Sequence, residues 1–82
     1  MNLVYLLICT TGLIPDTPEH CAVYELRPQY EMTQSVIDFK IKKICTLADE
    51  ASAKYGGRVT RCEEIDSAAK EEFDITAFRF LD

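Results

Sequence analysis

The chain has 82 residues, 48% hydrophobic and 28% charged, with a formal net charge of −5. That size and balance allow one domain spanning residues 1–82 and exclude a disordered chain. Nine lysines and arginines against fourteen acids also disfavour direct binding to nucleic acid, whose affinity comes largely from cations that displace counterions.

The opening run Leu3–Thr10 is apolar on both alternating faces, with Leu3, Tyr5, Leu7 and Cys9 on one and Val4, Leu6 and Ile8 on the other. A strand buried on both sides reads this way and belongs in the middle of a sheet. The run is too short to span a bilayer. No Lys or Arg precedes it and no small-residue cleavage site follows, so it does not read as an export signal. A cytoplasmic protein without membrane contact is therefore expected.

Two prolines and a glycine between Thr11 and His20 predict an irregular connection. A second strand follows over Cys21–Leu26, with Pro28 ending it or confining it to an edge. Tyr30 and Met32 are placed to pack back on the first turn of the helix that comes next.

That helix, Ser35–Tyr55, dominates the chain. Ile37, Ile41, Ile44, Ala48, Ala51 and Tyr55 fall at helical spacing on one stripe, widened by Cys45 and Leu47. Ser35 or Thr33 can cap its start, and Gly56-Gly57 supplies a left-handed stop. Phe39 stands about 160° from the stripe's centre, taking ~100° per residue, among Lys42, Lys43 and Glu50. Either the segment before the helix covers it or it is an exposed aromatic flanked by lysines, the usual make-up of a binding anchor.

Arg58–Ile65 reads as a third strand whose poor alternation suggests a bulge or an edge position. Residues 66–73 begin with a cap residue and continue with good helix formers, which predicts one or two helical turns, with a loop as the alternative. Ile75–Leu81 alternates as a fourth strand. The expected fold is therefore α+β: a small four-stranded, mainly antiparallel sheet with one long helix on one face, in the order β-β-α-β-(short α)-β. One helix covers only one face, so the chain is expected to self-associate as a homodimer, or to take a partner, across the other.

Four cysteines (Cys9, Cys21, Cys45, Cys62) allow three disulfide pairings. Their placement in apolar strand and helix positions favours reduced, packing thiols. No CxxC, CxxH or HxxxH pair occurs to seed a metal site, and His20 beside Cys21 is not at ligand spacing. No metal or cofactor is expected.

Catalytic motifs are likewise lacking: there is no GxSxG, GxxxxGK[ST] or HExxH. Cys9-Thr10-Thr11-Gly12 hints at a cysteine-phosphatase loop, but Pro15 stands where that loop needs arginine. A site around Cys9–Thr11 and His20, formed only in the fold, is the alternative enzymatic or ligand-binding reading. A structural subunit of a larger assembly is a third.

The charge is unevenly spread. Residues 1–62 hold seven acids and seven bases, whereas residues 63–82 hold Glu63, Glu64, Asp66, Glu71, Glu72, Asp74 and Asp82 against Lys70 and Arg79. Such a run is a solvated face or a negative surface that steers a basic partner. In size and charge alone the chain is similar to small acidic proteins of phages and mobile elements that occupy a host protein's nucleic-acid groove. The sequence thus points to a non-catalytic interaction protein, an inhibitor or regulator of a nucleic-acid-handling complex. It would contact a basic protein surface through Glu63, Glu64, Asp66, Glu71, Glu72 and Asp74, with Phe39, Lys42 and Lys43 as a second contact.

Overall fold

In a computed structural model, which describes residues 3–12, 19–66 and 75–81, strand β1 (Val4–Thr11) takes the centre of the sheet. Its two apolar faces require that position. Strand β2 (His20–Pro28) pairs antiparallel along one edge of β1, with Cys9 opposite Cys21 and Leu6 opposite Tyr24. Strand β3 (Arg58–Ile65) pairs antiparallel along the other, with Leu6 opposite Glu64 and Ile8 opposite Cys62. The long helix α1 (Gln34–Ala53) joins β2 to β3.

The last strand, β4 (Ile75–Leu81), lies on the outer edge of β2 and runs parallel to it, giving the order β3-β1-β2-β4. This corrects the expected four-stranded, mainly antiparallel sheet: the antiparallel sheet is three-stranded, β2-β1-β3. The reason is topological. Both β2 and β3 oppose β1, so they run the same way. Local alternation in Ile75–Leu81 carries no information about direction. The short helix expected within 66–73 falls, apart from Asp66, outside the described residues.

Helix α1 begins where Thr33 Oγ1 accepts the N–H of Val36 at 3.4 Å, one of the two caps foreseen. It ends two residues before Tyr55, with the Gly57 N–H donating to the Ser52 carbonyl and Gly56 at φ +81, which a side chain would make costly. Gly12, also at φ +81, packs against this turn so closely that a Cβ there would lie 3.0 Å from the Gly56 carbonyl oxygen.

The helix lies over β3 and β1. Ile37 and Ile41 join Val4, Leu6, Leu26 and Leu81 in one core cluster, with Ile44 and Cys45 packed against it. The stripe predicted to continue through Ala51 and Tyr55 does not: Ala51 is exposed and Tyr55 is 80% exposed, while Ser52 is buried. The buried face passes instead from Ala48 to Ser52, one position round from Ala51.

On the opposite face of the sheet Tyr5, Leu7, Cys9 and Val23 form a second cluster, with Leu7 and Val23 wholly shielded from solvent. The open apolar face that motivated self-association is thus already closed within one chain.

The cysteines are also corrected. They form two disulfides, Cys9–Cys21 and Cys45–Cys62. The first bridges directly opposed residues of β1 and β2; the second ties α1 to β3 with 5.9 Å between Cα atoms. Apolar surroundings suit a buried disulfide as well as a buried thiol, so composition could not separate the two.

Two tests follow from this packing. Ile41→Ala should cost about 2–4 kcal/mol and lower the melting temperature by many degrees, whereas Tyr55→Ala should change stability by under ~0.5 kcal/mol; equal effects in calorimetry would mean the packing face is misassigned. Alkylation in denaturant without reductant should label no cysteine, and reduction should cost roughly 3 kcal/mol for each bridge in the chain-entropy account of loops of this size.

Candidate functional site

Two depressions among the described residues border α1, and they differ in chemistry. The first, about 510 Å³, lies at the end of the sheet where α1 begins. Leu3, Tyr5, Met32 and Ile37 supply its apolar lining, and Tyr30 stands at it half-exposed. Three carboxylates converge there: Glu31 from the segment before α1, and Glu64 and Asp66 from the end of β3. Among the described residues no lysine or arginine lines it.

Register explains the convergence. Glu64 sits opposite Leu6 and so faces the helix side of the sheet. There Gln34 Nε2 donates to Glu64 Oε1 at 3.1 Å and to Asp38 Oδ1 at 2.9 Å, which joins the end of β3 to the first turn of α1. Glu63, one residue earlier, points to the other face and is paired with Arg61. The acidic run is therefore split by the alternation of the strand. Glu71, Glu72 and Asp74 lie outside the described residues.

The second depression is an apolar groove of about 420 Å³ between Ile44, Leu47 and Ala48 of α1 and Leu6, Ile8, Tyr24, Leu26 and Phe78 of the sheet. It exists because α1 is pulled toward β3. The Cys45–Cys62 bridge holds that side of the helix, as does the Val59 N–H donating to Asp49 Oδ1 at 3.3 Å. The flank toward β2 is left uncovered. Arg27 lies over the Phe78 ring at 4.0 Å from its centroid and pairs with Glu25.

Phe39 is 63% exposed, so the covered reading of this residue fails. The Lys43 ammonium sits 5.8 Å from its ring centroid, a contact worth under about 1 kcal/mol at an exposed site. Lys42 is exposed beside them. None of the three lines the acidic cleft. The structure thus places the described predicted contacts on three separate surfaces, Glu64 and Asp66 at the cleft, Glu63 on the other face of the sheet and Phe39, Lys42 and Lys43 on the helix, and it adds Glu31 and Tyr30 to the cleft. Only their distance in sequence from residues 63–74 hid them.

The alternative constellation around Cys9–Thr11 and His20 comes together only in part. Thr10 and His20 are cross-strand partners, and Thr11 lies opposite Arg58. The Cys9 sulfur, however, is bonded to Cys21 and buried, so no thiolate is free to act as a nucleophile while the bridge stands. Among the described residues no helix is long and apolar enough to cross a membrane.

No family model, curated protein or solved structure matches the chain, so function is argued from this geometry alone.

The two walls of the groove are expected to respond differently to charge. Leu47→Asp, at a half-exposed rim, should leave stability within about 0.5 kcal/mol of the parent. Leu26→Asp, at a floor position 1% exposed, should abolish folding because a buried carboxylate has no partner there. Circular dichroism of the two variants decides it, and a folded Leu26→Asp would refute the assignment.

Proposed function

We propose that this chain is a disulfide-stapled, non-catalytic interaction module that receives a basic segment of another protein in the cleft formed by Tyr30, Glu31, Glu64 and Asp66. The observation that carries this reading is the convergence of three carboxylates from two distant parts of the chain on one concave surface. A carboxylate keeps several lone pairs, so Glu64 can accept from a partner while holding Gln34. Tyr30 offers a ring face to an arginine or to a lysine stem. Occupying the basic groove of a nucleic-acid-handling protein is one form such a contact takes, and nucleic acid itself is not the ligand.

The groove beside Leu47 and Phe78 and the Phe39–Lys43 pair give the partner a second place to lean, without deciding its chemistry. The two disulfides support an oxidising compartment as the place of action, against the cytoplasm expected from the lack of an export signal.

The test uses a synthetic arginine-rich peptide as probe. Glu31→Gln, Glu64→Gln and Asp66→Asn together remove three exposed charges, each worth up to about 1 kcal/mol in a pair, so the dissociation constant should rise roughly 10- to 100-fold. The loss should fall mainly on the association rate and should shrink as salt rises. Unchanged affinity in the folded triple variant would remove the cleft from consideration.

A further inference from the structure

We propose that in its dithiol form the Cys9–Cys21 pair, together with Glu19, binds a borderline-soft divalent cation of the Zn²⁺ class, so that bridge and metal site are alternative states of one locus. The sulfurs of Cys9 and Cys21 and the Glu19 carboxylate lie within 4.8 Å of one another, the one such group of three donors among the described residues. Glu19 Oε1 is 3.7 Å from Cys21 Sγ. A disulfide sulfur has no proton to donate, so that approach is not a hydrogen bond in the oxidised chain. Two thiolates at about 2.3 Å and a carboxylate oxygen at about 2.0–2.2 Å from one tetrahedral Zn²⁺ stand some 3.5–3.8 Å apart. The carboxylate is already at that spacing, and the sulfurs reach it by side-chain rotation once the bond between them is gone.

The surroundings suit a cation. The register of β1 against β3 shifts between Cys9 and Thr10, so that Arg61 pairs with Cys9 and Val59 with Thr10, leaving Thr60 between them. Such a bulge re-aims a side chain, and Thr60 Oγ1 lies 2.7 Å from Glu19 Oε2, donating to it, and 3.3 Å from the Cys9 carbonyl oxygen. One carboxylate oxygen is thereby held and the other left toward the sulfurs, the outer support that metal-binding carboxylates require. The cation facing Cys9, Arg61, is paired with Glu63. Cys9 is buried, Cys21 half-buried and Glu19 exposed, which gives one shielded sulfur and an entry side at the other.

A small dithiol reductant delivers two electrons and two protons to the disulfide, becomes a disulfide itself, and leaves Cys9 and Cys21 as thiols. The cation then displaces both thiol protons, and water fills the fourth position. The Cys45–Cys62 pair cannot serve this site, because Cys62 lies opposite Ile8 and faces the helix, on the other side of the sheet from Cys9.

The experiment reduces the full chain with a phosphine and titrates it with Co²⁺, a spectroscopic stand-in for Zn²⁺. Thiolate-to-cobalt charge-transfer bands saturating at one ion per chain are expected. They should vanish in Cys9→Ser/Cys21→Ser, persist in Cys45→Ser/Cys62→Ser, and require about tenfold or more cobalt in Glu19→Gln and in Thr60→Val. Bands absent from the reduced parent, or surviving loss of Cys9 and Cys21, would overturn the proposal. Should the double serine variants fail to fold, the exposed Glu19→Gln decides: parental cobalt affinity in that variant also overturns it.

Discussion

Everything in this molecule is arranged around a central strand that must be buried on both faces and paired on both edges. Leu6 and Leu7, adjacent in sequence and pointing oppositely, are both fully shielded. Together they demand two apolar layers from a chain of 82 residues. The layer over Leu6 comes from α1, and the helix can reach it only by crossing from β2 to β3 over β1. From that crossing follow the common direction of β2 and β3 and the position of the cleft where the end of β3 meets the start of α1.

A core of this size leaves little stability to spare, and small domains commonly need a covalent staple. The two bridges act on different parts of the problem. Cys9–Cys21 closes the hairpin across a long connection, whereas Cys45–Cys62 sets where the helix rests. By drawing α1 toward β3 the latter leaves a groove between the helix and the β2 side of the sheet, over the buried Leu6 and Leu26. Stability and surface are therefore coupled: a helix centred on the sheet would close the groove and part Gln34 from Glu64.

Much of the frame was legible in the residues. The doubly apolar Leu3–Thr10 run announced a central strand, and the Thr33 cap and Gly56 stop bracketed the helix to within two residues. The parts that were not legible depend on contacts between distant positions. Periodicity places a helix stripe only to within a residue, so Ala51 and Tyr55 were assigned to a core that reaches the last turn through Ser52 instead. Cysteine pairing needs the register of β1 on β2 and the height of α1 over β3, neither of which composition contains. The acidic run looked like one surface because sequence lists neighbours without their faces. In the strand, Glu63 and Glu64 part company, and the cleft instead recruits Glu31 from the other side of the chain.

The order in which the chain leaves the ribosome adds a consequence to the position of β1. Domains form N-terminus first during synthesis, and here the strand that emerges first is the one that needs neighbours on both sides. Its partner β2 follows after one connection, but β3 arrives only after the whole of α1 has been made, and pairing over such separation is slow. Throughout that interval a nascent hairpin displays one unpaired edge of an almost wholly apolar strand. Its first tether is the Cys9–Cys21 bond, the only one whose two ends are present before α1 has been translated. A compartment, or an enzyme, that oxidises this pair early would hold the hairpin in register until β3 comes to claim the vacant edge.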